Sequence, residues 1–177
     1  MMEPRGSQEW SATMVRRLRA GDAAAGSALE SGLRPRLVAY ARRFLPEEAE
    51  DLAQEALTRA LTSDTEPERL RAWCFRVVRN LALNQLRDRR GAEALGSAAH
   101  ALPLETLGPL TRLVQGEDHA QVAAQLARLS VAQREALTLR YVEGLGREEI
   151  ATVLDLEVGQ VKSRLYEGLA RLRDLLD

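Results

Sequence analysis

A chain of 177 residues that is 45% hydrophobic has enough apolar material for one ordinary domain or two small ones, and it reads as globular and soluble. Its 25 basic and 26 acidic side chains leave a net charge of −1, which on the total alone argues against a nucleic-acid binder. The lone cysteine, Cys74, excludes an internal disulfide; with no signal peptide and no apolar run of membrane-spanning length, the chain reads as cytoplasmic, without membrane insertion.

Taken in order, residues 1 to about 10 hold Pro4, Gly6 and Ser7 and no periodic pattern, so a frayed end is expected. Trp10, Met14, Val15 and Leu18 then keep helical spacing, and Gly21-Asp22 closes that helix and offers a cap to the next. A second apolar series, Leu29, Leu33, Leu37, Tyr40, Ala41 and Phe44, is interrupted only by Pro35, where a kink or boundary is allowed. Pro46 is placed to start a third helix, with Leu52, Ala53, Ala56, Leu57, Ala60 and Leu61 as a narrow stripe of mostly small residues suited to close packing. Thr65-Glu66-Pro67-Glu68 has capping-box spacing with proline in the first turn, and the helix it predicts runs to about Arg90. Leu70, Trp73, Cys74, Val77, Val78 and Leu81 form its inner face and arginines its outer face; Trp73 is read as core, Cys74 as a small core residue and Phe75 as a candidate for exposure.

The neutral total hides a division of charge. From Glu47 to Glu68 there are eight acids against Arg59 alone, and from Arg69 to Arg90 seven arginines against Asp88 alone. Neighbouring surfaces of opposite sign fit two different partners. Beyond them, residues 91–116 are rich in Ala, Gly, Leu and Pro and read as a linker, although Leu102, Leu104, Leu107, Leu110 and Leu113 suggest that parts of it dock. A second domain begins near Glu117-Asp118 with a helix carrying Val122, Leu126 and Leu129. A capping box at Ser130-Val131-Ala132-Gln133 then opens a helix through Ala136, Leu137, Leu139, Arg140, Tyr141 and Val142.

Two more helices complete that domain in the layout of a helix-turn-helix: Arg147 to Leu154, a tight connection at Asp155-Leu156-Glu157, and a helix opening at about Val158. Ile150, Val153 and Leu154 make one face of the first apolar and leave Arg147, Glu148, Glu149 and Thr152 wet. In the second, Val158, Val161, Leu165, Leu169, Leu172 and Leu176 form a stripe, with Gln160, Ser163, Arg164, Glu167 and Arg171 opposite. Gln and Arg can make bidentate contacts with base edges, and Ser163 and Lys162, the chain's only lysine, suit phosphates. Periodicity alone leaves a plain helical hairpin and a DNA-reading pair equally open. No strand pattern or internal repeat is present.

Catalytic patterns fail on spacing. Gly144-Leu145-Gly146 lacks the third glycine of a dinucleotide loop because position 149 is Glu, no P-loop is present, and His100 and His119 have no cysteine near either. The acids at 47 to 55 are too irregular in a helix to expect a metal. No catalytic residue, metal or cofactor is expected.

The wording carries more than the pattern. Residues 141–165, YVEGLGREEIATVLDLEVGQVKSRL, closely resemble region 4 of the sigma-70 family, in particular of its extracytoplasmic-function members. The run Glu48 to Glu55, EAEDLAQE, resembles region 2.2, which in that family docks on the clamp helices of RNA polymerase; the resemblance makes Asp51, Leu52, Gln54 and Glu55 polymerase-facing. Residues 70–90 resemble regions 2.3 and 2.4, which help open the promoter and hold the unpaired −10 strand, and this assigns Arg76, Arg79, Asn80, Asn84 and Arg87 to that strand. Arginines tracking phosphates and amides facing an exposed base agree with that role. The region 4 likeness assigns Gln160, Lys162, Ser163, Arg164 and Arg171 to the −35 element. Asp155 stands where the family usually has glycine, and Glu157 where Ser or Pro commonly starts the recognition helix. Asp tolerates the left-handed conformation and a helix N-terminus favours Glu, so the motif stands, but the added carboxylate would repel a phosphate there.

The expectation is therefore an all-α protein of two small helical domains, residues 8–90 and 117–177, joined by a linker at 91–116. It implies a non-enzymatic alternative sigma factor, monomeric, with core RNA polymerase and promoter DNA as partners and an anti-sigma protein left open. A stand-alone helix-turn-helix regulator binding duplex DNA as a homodimer is the alternative, and an enzyme acting on nucleic acid a distant third.

Overall fold

A computed structural model describes residues 10–64, 66–91 and 128–176, so the expected frayed start, nearly all of the linker and the helix carrying Val122 and Leu126 lie outside the described residues. The described residues are helical, with no strand beyond an isolated bridge between Ser11 and Arg69. The chain divides into two compact units, Met1–His100 and Ala101–Asp177.

In the first unit α1 (Ala12–Arg19) ends at Gly21, whose φ of 76° reverses the chain, and Asp22 caps α2 (Ala23–Ala28) by accepting from the Ala24 and Ala25 amides at 2.9 and 3.1 Å. The Arg17 guanidinium, 2.7 Å away, and those amides hold the Asp22 carboxyl below the usual carboxylate range. A π turn, Leu29–Leu33, then leads without a break into α3 (Arg34–Ala41). Pro35 falls beside the change from π turn to α3, the boundary that the sequence allowed for, and the helical path continues through it. Helix α4 (Ala49–Thr62) starts three residues later than Pro46 suggests, because Phe44 and Leu45 first turn inward to be buried. Its small-residue stripe packs as expected: Ala49, Ala53, Ala56 and Ala60 are buried where α4 lies on α3 and α5 (Leu70–Gly91).

Helix α5 departs from expectation twice. It begins at Leu70 and not at the capping box, because Arg69 bridges to Ser11 and the Leu70 amide donates to the Trp10 carbonyl at 2.9 Å. A long-range tie overrides the local start signal. Phe75, not Trp73, is fully buried: its ring lies 5.0 Å from Tyr40, which meets Phe44 edge-on at 5.3 Å, and Trp73 is half-buried. Arg71 is also buried, so the arginine face is not wholly outward.

In the second unit the Ser130 capping box forms in both directions, the Gln133 amide donating to Ser130 Oγ and the Ser130 amide to Gln133 Oε1, each at 3.2 Å. It opens α6 (Val131–Leu137), which ends in a π turn, Thr138–Val142. Helices α7 (Arg147–Leu154) and α8 (Val158–Leu176) begin where the sequence placed them. Glu149 is buried and not wet, since its carboxylate turns back to accept from the Gly146 amide at 2.8 Å. The α8 stripe is also rotated. Val161, Leu165 and Gly168 face inward, while Leu169 is 43% exposed and Val158, in the first turn, 39%. Gly168 explains the roll: a Cβ there would lie 3.0 Å from Leu137 Cδ1, so its absence lets α8 sit close against α6.

Candidate promoter and polymerase surfaces

The turn between α7 and α8 depends on one residue. Asp155 adopts φ 55°, ψ 54°, the left-handed conformation, and the Leu156 amide returns to the Ala151 carbonyl at 3.0 Å. Asp155→Val places a β-branched side chain at positive φ and is expected to cost about 1–3 kcal/mol. A lowered thermal midpoint of the second unit checks it, and an unchanged midpoint would mean that the turn carries no such constraint.

Helix α8 opens on Glu157, whose carbonyl accepts from the Gln160 and Val161 amides at 3.0 and 3.1 Å while its own amide donates to Gln160 Oε1 at 3.0 Å. Gln160 is thus exposed, as a base reader must be, but its amide oxygen also caps the helix. Ser163 donates to the Gly159 carbonyl at 3.2 Å. Lys162 and Arg171 are exposed and Arg164 half-exposed. A groove of about 470 Å³ runs beside them, lined by Arg140, Tyr141, Arg147, Lys162, Ser163, Leu165, Tyr166 and Leu169. Sequence reading did not find its extra cations: Arg140 and Arg147 belong to other elements than α8, and only folding converges them on Lys162. Arg140 is held there by donating to the Leu145 carbonyl at 2.9 Å. Tyr166, 74% exposed, has a period that puts it on neither the stripe nor the reading face.

In the first unit Asn80, Asn84 and Arg87 are exposed along α5, while Arg76 and Arg79 are half-buried. Arg87 donates to Asn84 Oδ1 at 3.0 Å, which orients that amide and leaves its NH₂ to donate. On α4, Asp51, Gln54 and Glu55 are exposed, but Leu52 is 2% exposed. Leu52 is therefore a core residue that cannot present its side chain to a partner, and the face reduces to the other three. Glu55 pairs with Arg59 at 2.7 Å, and Glu50 lies 2.8 Å from Arg34 and 3.6 Å from Arg42. Glu48 pairs with Arg89, and there the acidic and basic stretches meet. Cys74 is enclosed, and burial pushes its thiol up to about 12, which keeps it protonated near neutral pH. Among the described residues no helix is long and apolar enough to cross a membrane.

A helix-turn-helix with a basic outward helix, together with a helical unit pairing an acidic face with an arginine-bearing helix, fits a DNA-binding transcription protein. Residues 31–92 match the model of sigma-70 region 2, and residues 112–172 that of sigma-70 region 4. The chain is 32% identical to the RNA polymerase sigma-H factor of Pseudomonas aeruginosa over 97% of its own length and 94% of that protein. It is 33% identical to the RNA polymerase sigma factor CnrH of Cupriavidus metallidurans over 80% and 81% of the two chains. Among solved structures it resembles CnrH in complex with the cytosolic domain of CnrY, with a TM-score of 0.59 and 25% identity over 94% of this chain and 97% of that one. It also resembles RpoE in complex with the anti-sigma factor NepR from Bartonella quintana, with a TM-score of 0.57 and 27% identity over 85% and 95%. The chain belongs to the sigma-70 family, among its extracytoplasmic-function members. It is an alternative RNA polymerase sigma factor that directs promoter-specific transcription initiation.

Proposed function

We propose a division of that work between the two units: the first docks on core RNA polymerase through Asp51, Gln54 and Glu55 and holds the unpaired −10 strand along α5, and the second reads the −35 element with α8. The observation carrying this reading is the separation of chemistry by helix, with exposed carboxylates on α4, exposed amides and arginine on α5, and exposed Gln160, Lys162 and Ser163 on α8. Arg140 and Arg147 join Lys162 as phosphate contacts flanking the reading helix, as expected where the first helix of such a motif crosses the backbone. The domains are taken as 8–90 and 117–177 about a linker at 91–116. The protein acts in the cytoplasm, without catalysis of its own, as a monomer that joins polymerase. The solved relatives held by an anti-sigma factor or by CnrY support an inhibitory protein as a further partner.

Run-off transcription with purified core polymerase tests the reading: the chain should confer initiation at defined start sites. Duplex binding by the chain alone, without stimulation of polymerase, would favour a stand-alone regulator. Two substitutions probe the division of roles. Asn80→Ala is expected to slow promoter opening on duplex about tenfold and to matter far less on a template with a mismatched bubble, since stacking and amide contacts act on an unpaired strand. An equal defect on both templates would remove Asn80 from the melting step. Lys162→Ala is expected to weaken all promoters alike and to reduce the slope of log affinity against log salt by about one unit. A change in which promoters are preferred would count against a phosphate role.

A further inference from the structure

Helix α5 is anchored from outside, by α1 and by Trp10 and Ser11, the two residues that lead into it. The first α5 amide, Leu70, donates to the Trp10 carbonyl at 2.9 Å, and Arg69 forms an antiparallel bridge with Ser11. The same short helix grips the other end of the connection: Arg19 Nη2 donates to the Ala60 carbonyl at 3.2 Å and to the Ser63 carbonyl at 2.5 Å. Ala60 lies in the last turn of α4, where carbonyls lack intrahelical partners and a cation is favoured. Between these ends Arg16 Nε stands 3.4 Å from the Glu66 carboxylate, and Pro67 is buried. On the path from α4 into α5, Ser63 and Glu66 are tied to Arg19 and Arg16 of α1, and Arg69 to Ser11 just before it.

We propose that α1 is a clamp that sets the position of α5 for capture of the unpaired strand, with Arg19 as its positioning residue. This rests on the assignment of α5 to the −10 strand. The core does not depend on the polar ties, because Tyr40, Leu52 and Phe75 are buried between α3, α4 and α5. The Arg16–Glu66 pair is exposed and contributes little, whereas charged donation by Arg19 to two carbonyls is the stronger tie. Distance makes the anchor matter. Asn84 is 14 residues beyond Leu70 (84 − 70), about 21 Å along the helix, so a tilt of about 5° at its start displaces Asn84 by about 2 Å. Hydrogen bonds to a base do not survive that error.

The test uses full-length protein reconstituted with core polymerase and a labelled single-stranded oligonucleotide carrying the non-template strand of the promoter most active in run-off assays. Arg19→Ala is expected to weaken capture of that oligonucleotide about tenfold, with affinity for core polymerase and helical circular dichroism unchanged; Arg19→Lys, which keeps a charged donor, recovers part of the loss. A covalent tie supplies the second variant. Ser11 and Arg69 face each other as a bridged antiparallel pair, whose Cα spacing of about 4.5–5.5 Å is within disulfide reach, and Cys74 is buried away from exchange. Oxidised Ser11→Cys/Arg69→Cys should restore capture in the Arg19→Ala background. The clamp is refuted if Arg19→Ala captures the strand like the parent, if capture falls only in step with core affinity and melting temperature, or if the cross-link itself blocks capture. Asn80→Ala separates the two ideas: capture impaired by Asn80→Ala but not by Arg19→Ala sinks the clamp alone, and capture unaffected by Asn80→Ala sinks the −10 assignment and the clamp with it.

Discussion

Reversing Asp51 and Glu55 together to arginine is expected to weaken binding to core polymerase by about 100-fold, or about 2.7 kcal/mol, while leaving the fold intact. Both side chains are exposed on α4 one turn apart, so the double variant turns two attractive contacts into repulsive ones on a single patch. The fold should tolerate the change because the face that packs on α3 and α5 is made of Leu52, Ala53, Ala56, Leu57 and Ala60. The tie that Glu55 makes to Arg59 is half-exposed on both sides and contributes little to stability. Affinity for core polymerase measured beside circular dichroism decides it. Parent-like affinity would place the docking surface elsewhere, and a lost helical signal would mean that the acids serve the fold. Leu52→Ala makes the contrast: it should lower stability through a cavity, not through the interface.

On the reading helix the largest effect is expected at Arg164, where truncation to Ala should cost roughly 1–3 kcal/mol on the preferred −35 sequence and relax the preference at one base pair. Gln160→Ala should cost as much for two reasons at once, since its amide oxygen also caps α8 through the Glu157 amide. Gln160→Glu separates them: it keeps an acceptor for the cap and loses the amide donor that pairs with adenine, so base preference should change while the thermal midpoint holds. Initiation from a library of −35 variants, at two salt concentrations, gives both readouts. A uniform loss for Arg164→Ala and Gln160→Ala, with the ranking of sequences intact, would refute both as base readers.

Much of the local architecture was legible in the residues alone. Asp22 and Ser130 cap the helices they precede, α7 and α8 start at Arg147 and Val158, and Asp155 takes the left-handed turn where only a few residue types are tolerated. Each of these rests on hydrogen bonds and steric limits that span four or five residues, so neighbours in sequence suffice to specify them. The family strings around Asp51, Asn80 and Lys162 were legible for the same reason, being short and contiguous. Packing depth was not. Which of Trp73 and Phe75 is enclosed, that Leu52 is lost to a partner, and that α8 rolls onto Gly168 with Leu169 left outside depend on the volume of facing helices, which a period of 3.6 does not contain. The start of α5 at Leu70, against a good capping box at Thr65, was decided by Trp10 and Ser11 far back in the chain, and the convergence of Arg140, Arg147 and Lys162 on one groove by the turns between α6, α7 and α8. Sequence determined the helices and their chemistry; tertiary structure alone decided which face of each is free to meet DNA or polymerase, because burial belongs to pairs of elements and not to either one.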